Sequence, residues 1–258
     1  SRLEEMRMSI VLNERECAIE ALQKCVLDTK PLETLGRVAK YYRAEGYKKA
    51  EIHSMLESFM LKCDPTINIV KWQDAIDRQI KDADKFPLIE LDGIPITQSE
   101  LDICSSLSGK QMKRLMFTLI CLAKFCNAVS AKNNNWVNRP DKEIFKMANV
   151  VTPIKRQSLM LNDLREAGLI RFSRKVDNIN INVLCIDNIG DPVLVITDYR
   201  NLGYQYMKYC GEPYFECASC GIVIKRTGKN HKYCSDCAAD IHRQKARDNF
   251  KNRAQYTK

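Results

Sequence analysis

Four cysteines stand in the order Cys217-x2-Cys220-x13-Cys234-x2-Cys237. Two close pairs joined by one loop are the pattern of a four-thiolate zinc site, with sulfurs at about 2.3 Å from the ion. Four thiolates close the tetrahedral shell and leave no position for water, so one Zn2+ with a structural rather than catalytic role is expected. A redox dithiol is the competing reading of any single Cys-x-x-Cys; two such pairs, one of them leading into a basic helix, weigh against it. His231 and His242 lie near enough to replace a ligand, but beside four cysteines they read as surface or phosphate-contacting groups. The other eight cysteines (Cys17, Cys25, Cys63, Cys104, Cys121, Cys126, Cys185 and Cys210) are scattered singly, most of them inside apolar patterns. There a free thiol behaves as a small hydrophobe, which predicts a reducing, cytoplasmic setting.

The second chemical signal is charge. Of the net +9, residues 222–258 carry +7, ten Lys and Arg against Asp236, Asp240 and Asp248, and the other 221 residues carry +2. The loop between the cysteine pairs holds Lys225, Arg226, Lys229 and Lys232. Beyond the last cysteine, 238–255 reads as a helix with Arg243, Arg247 and Lys251 on one stripe and Lys245 and Arg253 alongside. Such a field attracts polyanions, nucleic acid first and an anionic membrane surface second. The bland alternative is a solvated tail that aids solubility.

Sets that would carry catalysis are not found. The sequence has no Gly-x-x-x-x-Gly-Lys-Ser/Thr loop, no Gly-x-Ser-x-Gly elbow and no His-Glu-x-x-His, and it holds three histidines in all. Glu90, Asp92, Glu100 and Asp102 could hold Mg2+ in principle, but they read as a solvated face and a helix start. A binding protein rather than an enzyme is expected. The longest apolar run, Leu115 to Cys126, is broken by Thr118 and Lys124 and falls short of the roughly 18 residues of a membrane span. No charged-then-apolar leader opens the chain, so neither secretion nor membrane insertion is expected.

These groups need elements to hold them. With 258 residues, 45% hydrophobic and 28% charged, the chain can build two or three units with real cores. The periodicity predicts a mainly α, α+β protein. Residues 1–86 read as a helical N-terminal region, with one helix from Glu14 to Leu27 and another carrying Leu32, Leu35, Val38, Ala39 and Tyr42. A third carries Ile52, Met55, Leu56, Phe59 and Met60, and a fourth runs from Ile69 to Asp84. Residues 87–110 read as a connector with a short hairpin about Asp92-Gly93 and a capping box at Thr97 and Glu100. A largely buried helix from Gln111 to Asn127 follows, then an extended piece at Trp136, a helix to Ala148 and another from Ile154 to Ala167. Gly168 closes that helix, and Leu169–Phe172 and Asn180–Ile186 read as strands. Residues 191–213 are expected to supply a linking strand and helix, 214–238 the cysteine module and 239–258 a basic tail helix.

The order helix, strand, helix, helix, strand, strand over about 111–187, within a domain bounded at 111–190, with the local string Leu161-Asn162-Asp163-Leu164-Arg165-Glu166-Ala167-Gly168-Leu169-Ile170, resembles the winged helix-turn-helix family. Cys217-Ala218-Ser219-Cys220-Gly221 and Tyr233-Cys234-Ser235-Asp236-Cys237 resemble the two knuckles of a zinc ribbon. The first resemblance implies a helix that enters the DNA major groove. On this sequence its outward positions would be Lys155, Arg156, Ser158 and Asn162, with Arg171, Arg174, Lys175 and Asn178 of the wing on phosphates or the minor groove. Leu159 or Met160 should lie near the exposed face. The combined expectation is a zinc-containing, sequence-directed transcriptional regulator of bacterial mobile-element or phage type that binds double-stranded DNA. Within the same class, a replication-initiation or recombination accessory protein is the alternative. RNA or single-stranded DNA are alternative ligands, and the N-terminal helices could bind a protein partner or self-associate. A different class, a protein inhibitor or adaptor docking on a nucleic-acid-binding partner, also fits Leu159, Met160 and the tail.

Overall fold

The computed structural model describes residues 10–28, 30–174 and 180–255, with side chains as far as residue 249. The chain divides into two units, residues 1–93 and 94–258. Helix predominates, and the strands form small antiparallel sheets, so the α+β class read from the sequence is the class observed.

The first unit is built of α1 (Glu14–Lys24), α2 (Pro31–Ala44), α3 (Lys49–Cys63), a 3-10 turn (Ile69–Trp72) and α4 (Gln73–Lys85). The first two helices have a local reason to start. The Asn13 side chain accepts from the Glu16 amide at 3.0 Å, and Pro31 opens α2 where a missing N–H costs nothing. Apolar side chains recur every three or four positions, so each helix turns one stripe inward: Leu35, Val38 and Ala39 from α2 meet Ile52, Leu56, Phe59 and Met60 from α3 and Ile76, Ile80 and Ala83 from α4. Full burial of one large aliphatic side chain is worth about 1.5–3 kcal/mol, so this cluster dominates the unit's stability.

The second unit opens with β1 (Ile94–Thr97), α5 (Gln98–Ser106) and α6 (Lys110–Val129). Residues 115–125 of α6 are all buried, and the helix is the axis of the unit. Next come β2 (Trp136–Val137), α7 (Asp141–Met147), α8 (Ile154–Glu166), β3 (Ile170–Phe172) and β4 (Ile181–Val183). The three strands form one sheet in the order β2-β4-β3, with Trp136 opposite Asn182 and Ile170 opposite Val183. After β5 (Pro192–Ile196), α9 (Leu202–Tyr209) packs on α6 through Phe117 and Tyr206, whose ring centres are 5.1 Å apart. Strands β6 (Tyr214–Glu216) and β7 (Val223–Lys225) and the helix α10 (Ser235–Gln255) complete the chain.

Two expectations are corrected here. The hairpin about Asp92-Gly93 does not form: β1 pairs with β5, Ile94 opposite Ile196, while Leu91 N donates to Leu12 O at 2.8 Å and Glu90 bridges Asn13. Ile94, Ile96 and Ile196 are buried in that pairing, and a two-residue turn between prolines offers no comparable burial. The stretch read as one connector is therefore divided, its first part bound to α1 and the rest to the second unit.

The second correction concerns Glu100, expected on a solvated face. It closes the capping box with Thr97, but it is fully buried. Lys124 Nζ lies 2.8 Å from its Oε2, the Thr97 amide 2.9 Å from the same oxygen and the Asp187 amide 3.0 Å from Oε1. Lys124 also donates to Asp187 O at 3.0 Å. A charge inside α6 needs a fixed countercharge, and α5 supplies it.

Candidate metal centre and cationic surface

The two cysteine turns are brought together as the spacing requires. The first lies between β6 and β7: Gly221 N donates to Cys217 O and Cys217 N to Ile222 O, both at 2.9 Å, with Gly221 at φ 75°. That left-handed residue is where glycine is least strained. The second turn leads into α10, which begins at Ser235, three residues earlier than expected, so Cys237 sits in its first turn. Ala218 N donates to Lys232 O at 3.0 Å and stitches the turns side by side.

The four sulfurs all lie within 4.8 Å of one another, and those of Cys220 and Cys234 are 3.8 Å apart. A tetrahedron with bonds of about 2.3 Å has edges of about 3.8 Å, which the Cys220–Cys234 separation matches, so the cluster is compact enough for a four-coordinate ion. Amides support the sulfurs: Cys234 N donates to Cys217 Sγ at 3.2 Å and Cys237 N to Cys234 Sγ at 3.4 Å. Burial alone would raise the Cys217 thiol, but the amides of Cys234, Cys220 and Ser219 outweigh it and hold it at about 6. At Cys237 the Ser219 hydroxyl pulls downward, and the neighbouring cysteines push the thiol up to about 12. Four sulfurs this close resist ionising together, and a divalent cation relieves that repulsion. These four cysteines can hold a metal ion.

The cysteine module is fastened to the rest of its unit by polar side chains. Arg200 Nη2 donates to Cys220 O at 2.7 Å while Asp198 grips the same guanidinium at 2.7 Å. Asn201 Nδ2 donates to Val223 O at 2.9 Å, and its Oδ1 accepts from Asn149 Nδ2 at 2.8 Å. Asn149 Oδ1 in turn accepts from Tyr204 N at 3.2 Å. Asn149 and Asn201 both adopt positive φ, 55° and 52°. Gly203 has no room for a side chain, since a Cβ there would lie 1.9 Å from Ala148 O. One continuous set of contacts thus runs from β7 through the start of α9 to the turn between α7 and α8.

Helix α8 presents Lys155, Arg156, Ser158 and Leu159 as exposed groups and buries Met160, Leu161 and Leu164. Of the apolar pair singled out from the sequence, Leu159 is the outward member. Asn162 is half-buried, and its amide nitrogen donates to Ser158 O at 2.9 Å, leaving Oδ1 for other partners. Arg171 is held on the sheet by Asn182 Oδ1 at 3.0 Å and by the Trp136 ring. Arg174 is exposed, and Lys175 and Asn178 lie outside the described residues. Sequence periodicity missed Val151 and Ile154, which expose 94% and 80% of their surface at the entrance to α8.

Around the metal centre, Lys225, Lys229 and Lys232 are exposed and form no ion pair among the described residues. Arg226 stacks over Phe215 at 4.6 Å, and the His231 ring meets the same phenyl edge-on. His231 is a scaffold residue. Its Nδ1 accepts from Thr227 N at 3.3 Å, which makes Nε2 the protonated nitrogen facing Tyr233 O at 2.9 Å. On α10, Arg243 is paired with Asp240, while Arg247 is exposed and unpaired among the described residues; the Lys251 side chain lies outside them. No helix among the described residues is long and apolar enough to cross a membrane.

Comparison with protein-family models, curated proteins and solved structures finds no match to this chain.

Proposed function

We propose that this protein binds double-stranded DNA, without catalysis, through α8 and the wing, assisted by the cations around a structural zinc ion. The observation that carries the reading is the distribution of free cations. Lys155 and Arg156 on α8 and Lys225, Lys229 and Lys232 around the cysteines have no carboxylate partner among the described residues. They are anchored to one framework by the Asn149–Asn201–Val223 chain of hydrogen bonds. The helix-strand-helix-helix-strand-strand order with sheet order β2-β4-β3 supports the winged-helix resemblance. In that arrangement α8 is the helix that meets the major groove, and phosphate contacts from lysine and arginine supply non-specific affinity. Four sulfur ligands at tetrahedral spacing favour zinc, which contributes local folding energy rather than chemistry. Transcriptional control is the use we propose for such binding.

The test is binding of the full, metal-loaded chain to a random 30-mer duplex and to its single strand across a salt series, with metal content measured by mass spectrometry. Duplex binding whose logarithm falls linearly with log salt, by about 0.9 per phosphate contact, is the expected result. Preference for the single strand would move the function to replication or RNA, and absence of binding at low salt would overturn the nucleic-acid reading.

A further inference from the structure

Val151 and Ile154 pose a physical problem that packing does not answer. Both are large aliphatic residues left in water, at 94% and 80% exposure, within four residues of one another. They are also held still. Gln157 Nε2 donates to Thr152 O at 3.0 Å, the Arg156 and Gln157 amides donate to Pro153 O at 2.9 and 3.0 Å, and Asn149 just before them is tied to Asn201 and Tyr204. A rigid, exposed apolar pair loses little entropy when it meets a partner.

The surroundings decide the kind of partner. Lys155 and Arg156 follow directly, the first turn of α8 carries no acidic residue, and Ser158 and Leu159 share the exposed side one turn on. Apolar and cationic groups therefore alternate over a few ångströms. A protein groove that takes a helix offers a continuous apolar surface. The major groove offers isolated methyl groups between hydrogen-bonding edges and phosphates, and the only methyl on an unmodified base edge there is the C5-methyl of thymine.

We propose that Val151 and Ile154 read thymine, packing on C5-methyl groups in the major groove while Lys155 and Arg156 meet the adjacent phosphates. This rests on the assignment of α8 as the DNA-facing helix and adds the base that it selects.

The experiment begins by enriching binders from a random-sequence 30-mer duplex pool with the full, metal-loaded chain. The enriched duplex is then resynthesised with deoxyuridine for thymidine at each position in turn, which removes one methyl and nothing else. The expected result is a loss of about three- to fivefold at one or two positions, the order of one buried methyl group. Val151→Ser and Ile154→Ser should abolish that thymine–uracil difference and leave the salt dependence unchanged, with Ile154→Val retaining part of it. Both side chains are exposed, so the variants should melt within a few degrees of the parent, which is checked first. Equal binding of thymine and uracil duplexes overturns the proposal while duplex binding itself stands. An undiminished thymine–uracil difference in both serine variants also overturns it, by placing the methyl contact elsewhere. Failure of the parent to bind any duplex overturns the underlying DNA assignment instead. Loss of self-association in the Ile154→Ser variant, measured by sedimentation, would make a second copy of the chain the occupant and likewise overturn the proposal.

Discussion

Both units pair some of their cations and leave others free, and they differ in where the free ones lie. In the first, Arg15 is shared by Glu45 and Glu90, Lys24 pairs with Glu20, Lys30 and Arg37 with Glu33, Lys40 with Glu14 and Arg43 with Asp84, while Lys48, Lys49, Lys62, Lys71, Arg78, Lys81 and Lys85, spread from α3 to α4, are exposed with no ion pair among the described residues. In the second, Lys110, Lys124, Arg139, Arg165, Arg200, Lys208 and Arg243 pair with carboxylates, while Lys155, Arg156, Lys225, Lys229, Lys232 and Arg247, on α8 and around the cysteines, are exposed with no ion pair among the described residues. The stability argument for exposed pairs is weak, since each contributes only about 0–1 kcal/mol. Their main consequence is neutralisation. A polyanion approaching Arg15, Lys24, Lys40 or Arg43 finds the positive charge already answered, whereas on α8 and around the cysteines the phosphates themselves would be the counterions.

The cysteine module differs from the first unit in what holds it together, and the largest predicted effect tests that difference. The first unit has a continuous apolar cluster, whereas β6 and β7 are three residues each and bury chiefly Cys217 and Val223. Structural zinc in small modules contributes an apparent 10–16 kcal/mol or so, all of it local folding energy. Cys234→Ser should therefore lose the ion and amide protection over 217–237, with partial loss at 149–154 through Asn201. Protection of α2 and α4 should be unchanged in hydrogen exchange. Collapse of the first unit would break the comparison.

The next effect concerns Lys124, a cation of the second unit that is neutralised inside the core. Lys124→Ala strands the buried Glu100 carboxylate and should cost about 3–5 kcal/mol in chemical denaturation, against less than about 1 kcal/mol for Lys24→Ala on the exposed pair with Glu20. Equal costs for the two variants would remove the distinction between buried and exposed pairing. Gly203→Ala follows at about 3 kcal/mol, the upper end for overpacking, because the added carbon meets the Ala148 carbonyl rather than a movable side chain. A shift of metal affinity in that variant would sharpen the comparison by showing that the turn before α8 and the cysteine module act as one body.

How much of this could be read beforehand depends on whether the determining contact is local. The metal ligands were legible because each pair is set by one turn, and the helices because their apolar faces repeat at a fixed period. Of the scattered thiols, Cys104 and Cys121 are buried as read, and burial pushes both well above the usual thiol range, whereas Cys210 is exposed and the other five are half-buried. The pairing of β1 with β5 was not legible, because its partner lies about a hundred residues away and a nearer Asp-Gly turn competed for the same strand. Glu100 was missed although Lys124 gave a signal: a lysine inside an otherwise apolar helix requires a buried countercharge, and its partner had to be sought. Val151 and Ile154 carried no signal at all, since valine and isoleucine read as core until the fold leaves them outside.

The smallest predicted effect bears most directly on the comparison of charges. Lys24→Gln in the first unit and Lys229→Gln beside the cysteines both alter exposed side chains, so each should change stability by no more than about 0.5 kcal/mol. Their effects on binding should separate. Lys24 already has Glu20 as its counterion, and its loss should leave the salt dependence of duplex binding unchanged. Lys229 has no carboxylate partner among the described residues, and its loss should reduce the slope of log affinity against log salt by about 0.9, one phosphate contact, equally for every sequence. An equal change in slope for both variants, read by fluorescence anisotropy at several salt concentrations, would mean that net charge rather than pairing governs the interaction.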